Sequence, residues 1–249
     1  MEDTTALKTL LFQLADDELI IGHRDAEWTG HGPILEADIA FSSMAQDELG
    51  HAQVYYGLLH DLGETEPDRL AFLRAAADFR CAHLVELPNG DWAFSSVRQF
   101  LYDAAETVRL AALAGSSFAP LAQAARKFAG EEKYHLLHGR TWMQQLGQAG
   151  GESRVRLQAA LDQAYPYALG LFEPTDAEAA LAARGLKPPE AELQGHWEAL
   201  TRPVLAEAGL TPPKAAPVYG GRRGQHTPHL AALLADMQLV FRSDPEASW

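Results

Sequence analysis

An all-α fold is what this sequence predicts: a ferritin-like antiparallel four-helix bundle over residues 1–150, then a C-terminal helical extension over 151–249 packed on the bundle or on a partner chain. Three observations predict it. Apolar residues recur at alternating spacings of three and four through four long segments. Most of these segments meet at tight corners built from Gly, Ser and Pro. No period-two alternation persists beyond a few residues. At 249 residues, 47% of them hydrophobic, the chain is long enough for one packed domain with an appendage.

Taken in order, the first helix spans 5–29, with Leu11, Leu14, Glu18, Ile21, Asp25 and Trp28 on one stripe. Thr29-Gly30-His31-Gly32-Pro33 breaks it, and Pro33 suits the first turn of the next helix. The second helix, 34–62, repeats the pattern through Phe41, Met44, Glu48, His51, Tyr55 and Leu58. Residues 64–91 are less regular, with a short helix expected over 68–79 and a turn at Glu86–Gly90. A third long helix follows over 92–113, with Gln99, Asp103, Glu106 and Leu110 on its stripe. The fourth runs to about 146 through Leu121, Ala125, Phe128, Glu132, His135, Gly139 and Trp142, and a glycine-rich stop ends it. Shorter helices are expected at 152–168, 175–184, 189–208 and 227–242, with Val218–Gly224 as an exposed loop.

The composition removes several function classes. Acidic residues outnumber basic ones by 34 to 20, for a formal charge of −14, which argues against a nucleic-acid partner. A single cysteine, Cys81, excludes a disulfide framework, a cysteine zinc site and a self-held iron–sulfur cluster, and reads as a small buried hydrophobe. No 18-residue apolar run occurs, and Met1-Glu-Asp-Thr-Thr lacks the basic start of a signal peptide. A cytoplasmic protein without membrane contact is the expectation.

Chemistry enters with two Glu-x-x-His tetrads, Glu48–His51 and Glu132–His135. On a helix, positions i and i+3 share a face, so each tetrad offers an oxygen and a nitrogen to one metal. At this composition roughly 0.8 such tetrads arise by chance, so context decides. Both lie on the apolar stripe of a long helix, the second and the fourth. Each also has an acid on the preceding antiparallel helix. From the corner at Gly32 it is 14 residues back to Glu18 and 16 forward to Glu48; from Ser117 it is 14 back to Asp103 and 15 forward to Glu132. Both pairs therefore sit at one height. Glu106, about 4.5 Å nearer the corner at ~1.5 Å rise per residue, ranks below Asp103 as the third-helix ligand.

Glu18, Glu48, Asp103 and Glu132 with His51 and His135 make the ligand scheme of ferritin-like di-iron and di-manganese carboxylate proteins, with an Asp for one Glu. Four carboxylates balance two divalent cations, and one imidazole per metal suits Fe(II) or Mn(II) better than copper or structural zinc. Asp25 and Asp38 read instead as acids near a helix end or paired with a basic neighbour.

Three further segments carry a family resemblance: Ala26–Pro33, Leu84–Asp91 and Tyr219–His229. With the closing Trp249, they make the chain similar end to end to the C subunits of bacterial phenylacetyl-CoA epoxidase, a multicomponent ring 1,2-monooxygenase of phenylacetate catabolism. The resemblance implies a ferritin-like fold and, as partner, a catalytic A subunit that carries the di-iron centre. It also implies a reductase and a small B subunit in the wider complex. It further implies a scaffolding role, because the metal positions of the best-known C subunits are eroded. This sequence departs from them in keeping all six residues metal-competent. The alternatives are a self-sufficient ferritin-like oxidase or iron-handling protein, and a metal-free interaction module with no cofactor. Two weaker motifs remain. Gly220–Gly224 is read as a loop that salt-bridges a neighbouring chain, ahead of a contact from Arg222 or Arg223 to a CoA phosphate. His226 and His229, lacking nearby carboxylates in the sequence, are read as capping or packing.

Overall fold

A computed structural model describes residues 4–247; Met1–Asp3, Ser248 and the terminal Trp249 lie outside the described residues. The four long helices are α1 (Thr5–Ala26), α2 (Leu35–Asp61), α5 (Trp92–Leu113) and α6 (Ala119–Ala149). Shorter α3 (Pro67–Phe72) and α4 (His83–Glu86) connect the two pairs, and α7 (Gly151–Leu169), α8 (Glu178–Ala183), α9 (Glu190–Glu207), α10 (Pro228–Met237) and α11 (Leu239–Ser243) follow. No helix among the described residues is long and apolar enough to cross a membrane.

The corners form for local reasons. Between α1 and α2, Gly32 lies against Asp38, whose carboxylate accepts from the Gly32 N–H at 3.2 Å; a Cβ there would come within 2.8 Å of the Asp38 backbone. At the start of α5, the Asp91 carboxylate accepts from Phe94 N at 2.9 Å and caps the helix. Pro120 sits in the first turn of α6, where its missing N–H is harmless. At the other end of α6, Gly150 takes a positive φ of 67° that turns the chain into α7.

Helix α1 packs on α2 and α5 on α6, the two hairpins meet along α2 and α6, and α7 and α9 lie on the outer side of α5. Trp197 of α9 is fully buried and donates from its indole to Leu101 O of α5 at 2.9 Å. One apolar cluster therefore runs from Leu7 to Leu234.

Several sequence expectations are corrected. The first helix stops at Ala26, not 29. The 68–79 helix ends at Phe72 and is followed by a 3₁₀ turn at Ala76–Asp78, while a single helical turn forms at His83–Glu86. The 227–242 helix breaks at Gln238 into α10 and α11. The largest correction concerns the loop at 218–224, which is exposed only in part: Tyr219 and Arg223 face solvent, but Gly220, Gly221 and Arg222 are buried.

Helix α1 explains that burial. Its consecutive acids Asp16, Asp17 and Glu18 are each 1% exposed or less, and at about 100° per residue they point to three sides. Asp16 accepts from Tyr56 Oη at 2.5 Å and Arg80 N at 2.6 Å, and it pairs with Arg74. Asp17 receives both Arg222 nitrogens, at 2.8 and 2.6 Å, together with Ala82 N at 2.8 Å. Glu18 faces the bundle centre. The loop is thus drawn inward by a buried acid of its own chain, and Gly221 lies flush on the 81–82 backbone. A Cβ on Gly221 would sit 2.2 Å from Cys81 O. Gly221→Ala is therefore expected to cost about 2–3 kcal/mol, read as a lower denaturant midpoint with an unchanged slope.

Candidate metal centre

Four helices deliver the predicted residues to one place. Donor atoms of Glu18, Glu48 and His51 lie within 4.8 Å of one another, as do those of Glu48, Asp103 and His135. Glu48 belongs to both groups. His51 Nδ1 is 3.4 Å from Glu18 Oε2 and 3.5 Å from Glu48 Oε2; His135 Nδ1 is 3.4 Å from Glu48 Oε1 and 2.9 Å from Glu132 Oε1. Glu132 is bonded to His135 and falls outside both triads. All six residues are at most 2% exposed.

Of the two third-helix candidates, Asp103 stands in a triad, while Glu106 is gripped by the Arg109 guanidinium. Gln99 Nε2 donates to Asp103 Oδ1 at 2.7 Å and leaves Oδ2 unpartnered. Gly139 makes room on α6, because a Cβ at that position would meet the Phe100 backbone at 3.0 Å.

The chemistry of the donor set fits divalent cations. Glu18 Oε2, both Glu48 oxygens, His51 Nδ1, Asp103 Oδ2 and Glu132 Oε2 are buried without a hydrogen-bond partner. Each such atom costs about 1–3 kcal/mol, and native cores seldom tolerate several together. Burial, then the Glu48 charge, pushes the Glu18 carboxyl well above its usual range. Burial and Glu132 do the same to Asp103, and burial and Glu48 raise Glu132. Burial works to lower His135, but the adjoining Glu132 and Glu48 carboxylates prevail and raise it. Concentrated buried negative charge of this kind is what two hard cations relieve.

Sequence reasoning missed the groups that aim the histidines. His51 Nε2 meets Glu131 Oε2 at 2.7 Å, and His135 Nε2 meets Asp47 Oδ2 at 3.1 Å. Asp47 and Glu131 each stand one residue before a tetrad glutamate, and each supports the histidine of the opposite helix. The signal lies in the doublets Asp47-Glu48 and Glu131-Glu132: an adjacent position on a helix points about 100° away, toward the neighbour. Such outer carboxylates fix ring orientation and raise ligand basicity. Phe128 stacks on His51 with ring centroids 3.9 Å apart and closes that side.

Asp25 does pair with a basic residue, Arg98, at 3.4 Å. Arg98 also donates to Leu87 O at 2.8 Å and Asn89 Oδ1 at 2.7 Å, so it serves Asp25 weakly. Burial raises the Asp25 carboxyl to about 8, and Arg98 offsets only part of that. The folded chain therefore holds a proton there that the unfolded chain releases near pH 4. Stability from this group is complete below that pH and is lost as pH rises toward 8. Asp25→Asn is expected to flatten the fall in melting temperature of chelated protein between pH 5 and 8.

A third donor cluster, Cys81, Glu86 and His226, lies near α4, with the thiol and the carboxylate fully buried. Here the fold supplies the carboxylate that the sequence around His226 lacks. Glu86 accepts from His226 Nδ1 at 2.7 Å, Thr227 N at 2.8 Å and Thr227 Oγ1 at 2.6 Å. It is a hydrogen-bonded clasp, and His226 packs there while His229 stays exposed. Burial pushes the Cys81 thiol well up, which keeps it protonated and inert. The clasp also joins the three family-like segments: Asn89 Nδ2 donates to Arg24 O at 2.7 Å and Glu27 Oε2 at 3.0 Å, and Arg24 Nη2 reaches Glu86 O at 2.7 Å.

Fold and donor arrangement together define the ferritin-like class of helical bundles. Within it, the chain belongs to the phenylacetic acid catabolic protein family, which it matches over residues 1–249. It is 34% identical over 245 residues to the C subunit of the 1,2-phenylacetyl-CoA epoxidase of Escherichia coli K12, covering 98% of this chain and 99% of that one. It is also 28% identical over 184 residues to the A subunit of the same enzyme, covering 72% of this chain and 59% of that one.

Proposed function

We propose that the chain is the C-type subunit of a phenylacetyl-CoA epoxidase, a scaffold for a catalytic A-type subunit, and that it holds a dimetal centre of its own. The scaffold assignment is supported by the end-to-end likeness to the C subunit of the enterobacterial enzyme, whereas the likeness to its A subunit spans only part of either chain. The metal reading rests on the buried, unpartnered donor atoms.

In this reading Glu18, Glu48 and His51 would hold one ion and Asp103, Glu132 and His135 the other, with Glu48 belonging to both donor groups. When bound and reduced, a di-iron centre would supply the two electrons with which one atom of dioxygen goes to an aromatic ring and the other, with two protons, leaves as water. The chain's own contribution is orientation and exclusion of water. Glu131 and Asp47 fix the two imidazoles through Nε2, so that each Nδ1 faces the inward carboxylates. Phe128, stacked on His51, and the fully buried Tyr55 against it wall that side of the donors from solvent.

Two measurements test the parts separately. Co-expressed with an A-type subunit, the chain is expected to co-elute with it on size exclusion; a chain that never pairs removes the scaffold role. Elemental analysis after anaerobic Fe(II) loading is expected to find stoichiometric metal on the isolated chain. Intact folding without such metal removes the dimetal reading and leaves the pairing untouched.

A further inference from the structure

Two buried hydroxyls, on Tyr55 and Tyr102, have no task in the reading above. Both residues are fully buried, and the Oη of each lacks a hydrogen-bond partner. Buried tyrosines normally find one, and this fold supplies one where the phenol is structural. Tyr56, next to Tyr55 in the chain, donates to Asp16 Oδ1 at 2.5 Å and accepts from Arg74 Nη2 at 2.9 Å. An unpartnered buried hydroxyl costs about 1–3 kcal/mol, and phenylalanine would fill the same space without that cost. Tyr55 and Tyr102 thus keep an oxygen that packing does not use.

Of the two, Tyr55 is the one joined to the candidate centre. It follows His51 by four residues on α2, which puts it on the same helix face, about 6 Å along the axis. Its ring meets Phe128 edge to face with centroids 5.5 Å apart, and Phe128 stacks on His51 at 3.9 Å. Two ring contacts therefore connect the phenol to a candidate ligand, whereas Tyr102 makes no ring contact among the described residues. Burial, then the Glu18 and Glu106 carboxylates, push the Tyr55 phenol well above its usual range. A phenol held neutral in this way gives up its proton only together with an electron, and the proton needs an acceptor. Glu106 offers one: Arg109 grips its Oε1, and its Oε2 is buried without a partner.

We propose that Tyr55 is a one-electron donor to the dimetal centre and that, once oxidised, it persists as a neutral phenoxyl radical. The proposal rests on the dimetal reading above. With no aromatic substrate to take an oxygen atom, dioxygen reduced at a di-ferrous centre needs four electrons and four protons to become two waters. The two ferrous ions give one electron each and end ferric, and further Fe(II) in solution gives the third. The Tyr55 O–H bond supplies the fourth electron; its proton passes to Glu106 Oε2, and solvent supplies the protons consumed. A ring with no exposure to solvent meets no dissolved reductant, so the radical outlasts the reaction that forms it.

Electron paramagnetic resonance tests this without reference to turnover. The full chain is loaded anaerobically with Fe(II) in slight excess, assayed for bound metal, mixed with oxygenated buffer and frozen. A narrow organic-radical signal is expected, with hyperfine splitting that collapses in protein made with ring-deuterated tyrosine. Tyr55→Phe is expected to reduce the signal at least tenfold at unchanged metal content. Its melting temperature should be no lower than the parent's, since only an unpartnered hydroxyl is lost. Tyr102→Phe is expected to leave the signal in place. A metal-loaded chain without a radical, a signal that survives Tyr55→Phe, one that depends on Tyr102 instead, or one indifferent to tyrosine deuteration overturns the proposal. A chain that takes up no Fe(II) overturns the dimetal reading and this proposal with it, so the metal assay tells the two failures apart.

Discussion

On anaerobic loading with Fe(II) or Mn(II), the Glu48→Gln variant is expected to retain less than half of the metal held by the unaltered chain. Glu48 is the one residue within reach of both donor triads, so an amide in its place removes a charged ligand from two ions at once. An outer-shell partner alone is worth about 10–100-fold in affinity; a shared ligand exceeds that. Asp47→Ala provides the internal comparison, because it leaves all six candidate ligands in place and removes only the support of His135. It is expected to weaken loading by about 10–100-fold, with stoichiometry recovered at high metal. Equal metal content in all three proteins would show that the ions, if any, sit elsewhere.

Arg222→Met is expected to destabilise the fold by about 3–5 kcal/mol, more than Gly221→Ala beside it, because it leaves the buried Asp17 charge without its main partner. Arg222 is 6% exposed and donates to Asp17 twice, and its Nη1 also reaches Arg80 O at 2.9 Å. Arg109 stands 3.6 Å from Asp17 but is committed to Glu106, so it is a poor substitute. In a chain of this length the loss amounts to a fall in melting temperature of roughly 10–15 °C. Pairing the change with Asp17→Leu should recover part of it, since removing both charges leaves no isolated ion. A single variant that melts with the parent protein would mean that Arg222 does not hold the loop.

The four long helices are legible in the sequence because each repeats its pattern over 22 to 31 residues, long enough for the period to outweigh local noise. The candidate ligands are legible for a related reason. Polar residues on an apolar stripe contradict the helix that carries them, and equal distances from two corners put them at one height. Asp47 and Glu131 are not legible, because they lie off the stripe and look like ordinary surface acids; only the neighbouring helix gives them a task. Arg222 is hidden for the opposite cause. A Gly-Gly-Arg-Arg-Gly stretch has the composition of an exposed loop, and what buries it is an acid some two hundred positions away. Short elements such as α4 and the break at Gln238 depend on tertiary contacts that no local pattern announces.

The crossed support of the two histidines bears on how such a centre would decay over evolutionary time. Were each helix hairpin to complete its own half, one ion could be lost while the other persisted, and mononuclear descendants would be stable stopping points. Here every half borrows its orienting acid from the other, and Glu48 is common property. On the proposed dimetal reading, substitutions in either hairpin would degrade both ions, so intermediate states would gain little and selection would act on the pair as a unit. If the chain holds the proposed centre, selection would act on the six donors together with Asp47 and Glu131, and descendants that abandon it are expected to abandon these eight positions in concert.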